Sequence, residues 1–327
     1  MSAALPVTII GGYLGSGKTT LINHLLRHAN GVRLAVLIND FGELPIDAEL
    51  IEGQEGNVIS LSGGCICCSY GDDLSYALQQ LLEQESLPDH IFIEASGVAL
   101  PGAIGKSLSL LRAFKLEGIV VLADATSIET SSTAKYIGDT IARQLSDADL
   151  IVLNKLDLLS NLQLEAVRGW MEAHYTHSPW VDSVFSTIDP EVLFEMKRDI
   201  NLHASASASA SASASAVQCI KSDTTATSHH HEVASLFKSI RLDINKAIDA
   251  DTLAAQLADK RCGLVRAKGF VRHADKSLKT IQVVGRRWSV TDAPDGVSTG
   301  LVCIATDGNL SEARVRAFCG LDKLGPA

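Results

Sequence analysis

The sequence predicts an α/β chain: a mostly parallel sheet flanked by helices, followed by a smaller α+β domain. Three observations carry this. Apolar, β-branched runs alternate with helix-period stripes along the first part of the chain. Gly12-Tyr13-Leu14-Gly15-Ser16-Gly17-Lys18-Thr19 fits G-x-x-x-x-G-K-[ST] without a mismatch, between the run Val7-Thr8-Ile9-Ile10 and a helical stripe of Leu21, Ile22, Leu25 and Leu26. A strict Ala/Ser alternation over 204–216 then separates this part from a second globular stretch.

After the glycine loop and its helix, Leu34-Ala35-Val36-Leu37-Ile38 is a buried strand, and 44–56 is a loop broken by Pro45, Gly53 and Gly56. Val58 to Leu61 is a short strand that leads to Gly63-Gly64-Cys65-Ile66-Cys67-Cys68, and Leu74, Leu78, Leu81 and Leu82 make a helical stripe. Strands follow at His90–Glu94, Gly118–Asp124, Leu150–Leu153 and Val181–Phe185, with helices through Ile137 to Leu145 and Leu162 to Met171. Ligands of such sheets lie at the carboxyl ends of the strands, where these motifs fall. The Ala/Ser run buries almost nothing and continues through polar residues to His229, His230 and His231. Beyond it, a helix with Leu253 and Leu257 and strands at 263–271, 279–284 and 301–305 form the second domain. The expected division is a P-loop NTPase domain over 1–203, a flexible linker over 204–232 and a C-terminal domain over 233–327.

With 327 residues there is ample material for a core. A formal charge of −10 argues against nucleic acid as partner. No run of some 18 apolar residues exists, and the first residues lack a basic leader, so the expectation is a cytoplasmic protein with no membrane partner. Three of the seven cysteines fall within four positions, which suits thiol chemistry better than a disulfide framework.

Each motif implies a chemistry. Gly12, Gly15 and Gly17 let backbone N–H groups around Ser16 wrap a phosphate chain at the positive end of the next helix. Lys18 reaches the β- and γ-phosphates, and Thr19 takes a Mg²⁺ position with Thr20 alongside. Asn154-Lys155-Leu156-Asp157 follows a buried strand, where the guanine-reading N-K-x-D motif belongs. Asp157 can accept hydrogen bonds from guanine N1–H and its exocyclic amine, Asn154 contacts the other edge, and Lys155 lies over the base. The competing reading makes Asp157 the cap of the following helix. Glu94, closing an apolar strand, helps hold Mg²⁺ or positions the attacking water, and is a catalytic candidate with Lys18. Asp40 and Glu43 read first as loop carboxylates and second as Mg²⁺ or γ-phosphate groups.

The thiols of Cys65, Cys67 and Cys68 can converge on one soft or borderline metal such as Zn²⁺ or Cu⁺, and their incompleteness suits a site that accepts and hands over its ion. A buried cysteine cluster or a redox pair would account for them otherwise. Cys219, Cys262, Cys303 and Cys319 are scattered and read as core or incidental residues, while the three histidines serve as metal ligands or as a polar loop.

The P-loop, Gly-Gly-Cys-Ile-Cys-Cys, Glu-Ala-Ser-Gly and Asn-Lys-Leu-Asp together resemble the CobW family of metallochaperone GTPases, relatives of the urease and hydrogenase accessory GTPases. Arg266-Ala267-Lys268-Gly269-Phe270 resembles the core of that family's C-terminal domain. The resemblance implies a GTPase that binds a divalent metal, Zn²⁺ or Co²⁺, at Cys65, Cys67 and Cys68 and couples GTP hydrolysis to delivery to a client metalloprotein. A homodimer is a candidate assembly. The same resemblance makes the loop of Asp40 and Glu43 one switch and assigns Glu94 to a second. Asp40 stands where the family often has Glu. The rival readings are a P-loop small-molecule kinase, expected to prefer ATP, and a non-catalytic zinc- or redox-responsive nucleotide-binding module.

Overall fold

The apolar runs become strands because their β-branched residues pack on both faces of a sheet that helices cover. The computed structural model describes residues 4–38, 58–62, 72–84, 86–194, 238–244, 246–294, 296–305 and 311–321. The first unit runs β1 (Leu5–Gly12), α1 (Lys18–Arg27), β2 (Leu34–Ile38), β3 (Val58–Ser62), α2 (Asp72–Leu82), β4 (His90–Glu94), α3 (Pro101–Leu108), β5 (Phe114–Asp124), α4 (Ile128–Ser132), α5 (Gly138–Asp147), β6 (Leu150–Asn154), α6 (Asn161–His174) and β7 (Trp180–Asp182). Its strands lie in the order β3-β2-β4-β1-β5-β6-β7, each pair parallel.

Alternate residues of each strand serve opposite faces. Val7 and Ile9 of β1 join a core with Leu74, Leu78 and Leu81 of α2, Ile104 of α3 and Ile141 of α5. Ile10 joins the other core, with Leu21, Ile22 and Leu25 of α1 and Phe92 of β4. Val192, Leu193 and Phe194 complete that second face together with Val265 and Ile304, which come from the C-terminal unit.

The C-terminal unit comprises β8 (Lys238–Leu242), α7 (Ala250–Leu257), β9 (Arg266–Arg272), β10 (Leu278–Val284), β11 (Arg287–Asp292), β12 (Gly300–Ala305) and α8 (Glu312–Phe318). Its antiparallel sheet has the order β11-β10-β9-β12-β8, with α7 packed through Leu253 and Leu257 into a separate core. The smaller α+β domain expected from sequence is therefore present.

The two units dock through specific contacts. Asp149 accepts from Ile119 N (2.9 Å) and from Arg287 Nε (2.7 Å). Gly285, at φ +55°, sits so close that a Cβ there would meet Asp149 O at 1.7 Å. Lys260 Nζ donates to Glu172 Oε2 at 2.7 Å and lies 4.0 Å from the ring centre of Trp180.

Two departures from the sequence reading have a physical cause. β5 begins at Phe114, four residues ahead of the expected start, because Lys115 and Glu117 interrupt the apolar run; they meet polar partners in the second unit, Lys115 Nζ donating to Gln282 Oε1 at 3.5 Å. β11 was not expected because its Arg-Trp-Ser-Val-Thr-Asp sequence is that of a half-exposed edge strand. Among the described residues no helix is long and apolar enough to cross a membrane.

Candidate functional site

β1 delivers the chain into the P-loop at the carboxyl end of the sheet. Gly12, Gly15 and Gly17 have φ of +134°, +75° and +104°, in the left-handed region that side chains disfavour. A Cβ on Gly12 would meet Leu122 O at 2.5 Å, and one on Gly17 would meet Ser186 Oγ at 2.3 Å. These two positions therefore need glycine for space as well as for conformation. α1 then starts at Lys18 with Gly17 as its cap residue, no side-chain cap and no acidic residue in its first turn. The positive helix end is thus left to a ligand. Lys18 is buried and folds back to Tyr13 O at 3.4 Å, while the Ser16 hydroxyl is buried without a partner. Glycine cradle, open helix end, lysine and orphaned hydroxyl fit a polyphosphate.

Beside the loop, Thr19 Oγ1 donates to Glu94 Oε1 at 3.0 Å. β4 neighbours β1 in the sheet, Ile10 pairing with Glu94, which is why residues 75 positions apart meet. A hard cation such as Mg²⁺ takes oxygen ligands, and a hydroxyl and a buried carboxylate within one hydrogen bond suit it. Thr20 lies exposed outside this pair.

Asn154, closing β6, acts as a brace. Its Nδ2 donates to Ser16 O (2.9 Å) and Ser186 Oγ (2.7 Å), and its Oδ1 accepts from Ser186 N (2.8 Å). Ser186 in turn donates to Gly17 O at 3.0 Å. Phe185 and Ser186 hold φ of +52° and +54°, a strained pair kept in place by these bonds. Lys155, at φ +66°, donates to Asp124 Oδ2 at 2.7 Å. Burial would raise the Asp124 carboxyl, but hydrogen bonds from Lys155 and Thr126 hold it below its ordinary value. Asp157 lies exposed in the short turn Leu156–Leu158. It does not cap α6: Ser160 is the cap residue, and its N–H donates to Gln163 Oε1 at 3.0 Å.

Three contributors escaped the sequence reading. Asp124 and Ser186 act through partners distant in sequence, and only their position after apolar strands could have flagged them. Gln144 of α5 donates to Gly97 O (3.1 Å) and Ala99 O (2.8 Å), fixing the segment that follows Glu94. A Cβ on Gly97 would meet Leu14 Cδ2 at 2.4 Å and Leu14 N at 2.8 Å, so this segment presses on the P-loop.

Asp40, Glu43, Cys65, Cys67, Cys68 and His229, His230 and His231 lie outside the described residues, as do Cys219 and the Ala/Ser run. The strand toward the cysteines is described: Ser62 of β3 pairs with Ile38 of β2, which pairs with Glu94 of β4.

Residues 6–182 match the family described as CobW/HypB/UreG, nucleotide-binding domain, and residues 237–318 match the cobalamin synthesis protein cobW C-terminal domain. A protein named zinc chaperone CobW from Sinorhizobium is 34% identical over 203 residues, which cover 54% of this chain and 57% of that protein. A protein of the same name from Pseudomonas aeruginosa is 27% identical over 326 residues, covering 88% and 82%. The chain thus spans little more than half the length of the Sinorhizobium relative. Among solved structures, Zn(II)-bound YjiA GTPase from E. coli aligns over 98% of this chain and 99% of that one at 21% identity, with a TM-score of 0.43. With the nucleotide-binding family spanning 6–182 and the cobW C-terminal family following at 237–318, the chain belongs to the CobW/HypB/UreG family.

Proposed function

We propose that this chain is a GTP-hydrolysing metal chaperone that binds Zn²⁺, or Co²⁺ in its place, at Cys65, Cys67 and Cys68, and passes the ion to a client metalloprotein as GTP is bound and hydrolysed. The observation that carries the reading is the Thr19–Glu94 hydrogen bond at the mouth of a glycine cradle. Lys18 and the loop amides hold the phosphates, with Gly12, Gly15, Ser16 and Gly17 forming the wall and Thr20 flanking it. Asp157 selects guanine, because adenine offers its carboxylate an acceptor where guanine offers donors. Asn154 holds the loop for the phosphates, and Lys155 flanks the base while paired with Asp124. Thr19 and Glu94, with Asp40 from the preceding loop, would hold Mg²⁺, which supplies charge neutralisation at the phosphate oxygens. Glu94 orients the attacking water.

The strand register supports coupling to the metal. Ser62, Ile38 and Glu94 form one register row, so β3 ends about 10 Å, two strand spacings, from the strand that carries Glu94. Cys65 follows three residues later. The intervening segment with Asp40 and Glu43 leaves β2 on the same row and serves as the switch that reports the γ-phosphate. The division at 203 and 233 leaves the Ala/Ser run as a tether between the two units. The names of the Sinorhizobium and Pseudomonas relatives, both zinc chaperone CobW, support zinc as the cargo.

The test is a titration of reduced protein with Zn²⁺ and with Co²⁺ in the presence of GDP or a non-hydrolysable GTP analogue, beside a Cys65→Ser, Cys67→Ser, Cys68→Ser variant. Co²⁺–thiolate absorption that differs between nucleotides and vanishes in the variant is the expected result. Equal affinity with both nucleotides would end the coupling, and unchanged binding by the variant would move the metal elsewhere.

A further inference from the structure

Three cysteines that are far apart in sequence meet in the core of the C-terminal unit. Cys262 ends the short turn Lys260–Cys262, Cys303 lies in β12, and Cys319 follows the last turn of α8. They are 1%, 0% and 5% exposed and belong to one apolar cluster. The thiols of Cys262 and Cys319 are hydrogen-bonded to each other, with Cys303 close enough to act on both electrostatically. Among the described residues no group of three or more His, Cys, Asp or Glu is arranged to hold a metal. The trio is therefore not read as a metal centre.

The sulfurs are not equivalent. The hydrogen bond from Cys262 favours the Cys319 thiolate, whereas the same bond and burial push Cys262 up, and burial pushes Cys303 up to about 12. Cys319 is the least buried of the three and follows α8 at its C-terminal end, so the bond from Cys262, not the helix, is what favours its thiolate. Cys262 occupies a segment that joins the two units. Lys260, two residues before it, is held by Glu172 and Trp180, and Val265, three residues after it, packs in the core beside α1.

We propose that Cys262 and Cys319 form a redox modification site, converted by hydrogen peroxide into an intramolecular disulfide that ties α8 to the segment docking the C-terminal unit. The Cys319 thiolate attacks one peroxide oxygen, the O–O bond breaks, and a sulfenic acid forms while the departing hydroxide is protonated to water. The sulfur of Cys262 then attacks the sulfenic sulfur. The S–O bond breaks, and the leaving hydroxide takes up the Cys262 proton, so two thiols and one peroxide give one disulfide and two waters. A thiol reductant reverses the change.

The sequence makes the test clean. Trypsin places Cys262 in 262–266, Cys303 in 288–314 and Cys319 in 317–323. The full chain is treated with a modest excess of peroxide, denatured, alkylated and digested. A peptide joining 262–266 to 317–323 is expected, lost on reduction, absent from Cys319→Ser and retained by Cys303→Ser. The melting temperature of the oxidised wild type should rise by a few degrees, a shift that Cys319→Ser does not show. Full alkylation of both cysteines after peroxide, a sulfinic acid on Cys319 without the crosslink, or a crosslink to 288–314 instead would each overturn the proposal. Mapping the wild type does not depend on any variant folding, and it does not depend on the nucleotide chemistry.

Discussion

Thr19 Oγ1 and Glu94 Oε1 are joined by a 3.0 Å hydrogen bond that links the first turn of α1 to the last residue of β4. Any cation drawn to the loop meets a hydroxyl and a buried carboxylate together. The sheet order that sets β4 against β1 makes this pairing unavoidable once both strands form.

Glu94→Gln keeps the size of the side chain and an oxygen for Thr19 but removes the charge. GTP hydrolysis is expected to fall by about 10²–10⁴-fold, the range for loss of a positioned base. GDP affinity should change little, because the proposed function assigns the phosphates to the loop and Lys18 rather than to Glu94. Steady-state turnover beside a nucleotide titration separates the two effects; equal turnover in both proteins would remove Glu94 from the chemistry.

Asp157→Asn replaces an acceptor by a group that also donates. Guanine then loses its partner for the exocyclic amine, while xanthine, with a carbonyl at that position, gains one. GTP binding should weaken by about tenfold or more, and xanthosine triphosphate binding should rise in parallel. Competition between the two nucleotides reads the exchange, and an unchanged order of preference would show that the base lies elsewhere.

Ser186→Ala removes the hydroxyl that donates to Gly17 O and accepts from Asn154 Nδ2. The loss is expected to cost about 1–3 kcal/mol, shared between stability and nucleotide affinity. Preference for guanine over adenine should survive, since Asp157 is untouched. A large change in that preference with intact affinity would contradict the bracing role.

His90 carries a pH signature. It is buried, with Nε2 and Thr8 Oγ1 in a 2.9 Å hydrogen bond and Phe92 and Phe194 beside it. Burial pushes its pKa from 6.5 down to about 4, opposed by Glu117 and reinforced by Arg266 and Lys268. The unfolded chain therefore takes up the proton first. This contribution to stability is complete above pH 6.5 and is lost as the pH falls from there to about 4, a total of about 3 kcal/mol. Denaturant unfolding of wild type and His90→Phe across that window should show the slope in the wild type and its reduction in the variant; parallel curves would refute it.

Much of the site was legible because its motifs are local. Gly12 to Thr19 and Asn154 to Asp157 are each contained in one loop, so spacing alone marks them as candidates. Glu94 was legible from an acidic residue closing an apolar strand. Asp124, Gln144 and Ser186 were not, because each acts on a backbone or side-chain partner that only strand order and helix packing bring near. Cys262 and Cys319 were read as core or incidental residues and lie in the core, but nothing in their spacing indicated that the two thiols touch.

The sequence by itself determined the parallel α/β class, the glycine-rich loop after β1 and the presence of a second α+β unit, because hydrophobic period and glycine spacing are local properties of the chain. Only the tertiary structure decided that Asn154 braces the P-loop through Ser186, that Gly97 must yield space to Leu14, and that the C-terminal unit closes one face of the first core through Val265 and Ile304. These depend on contacts between segments remote in the chain, and such contacts exist only once the sheet has set its strand order and register.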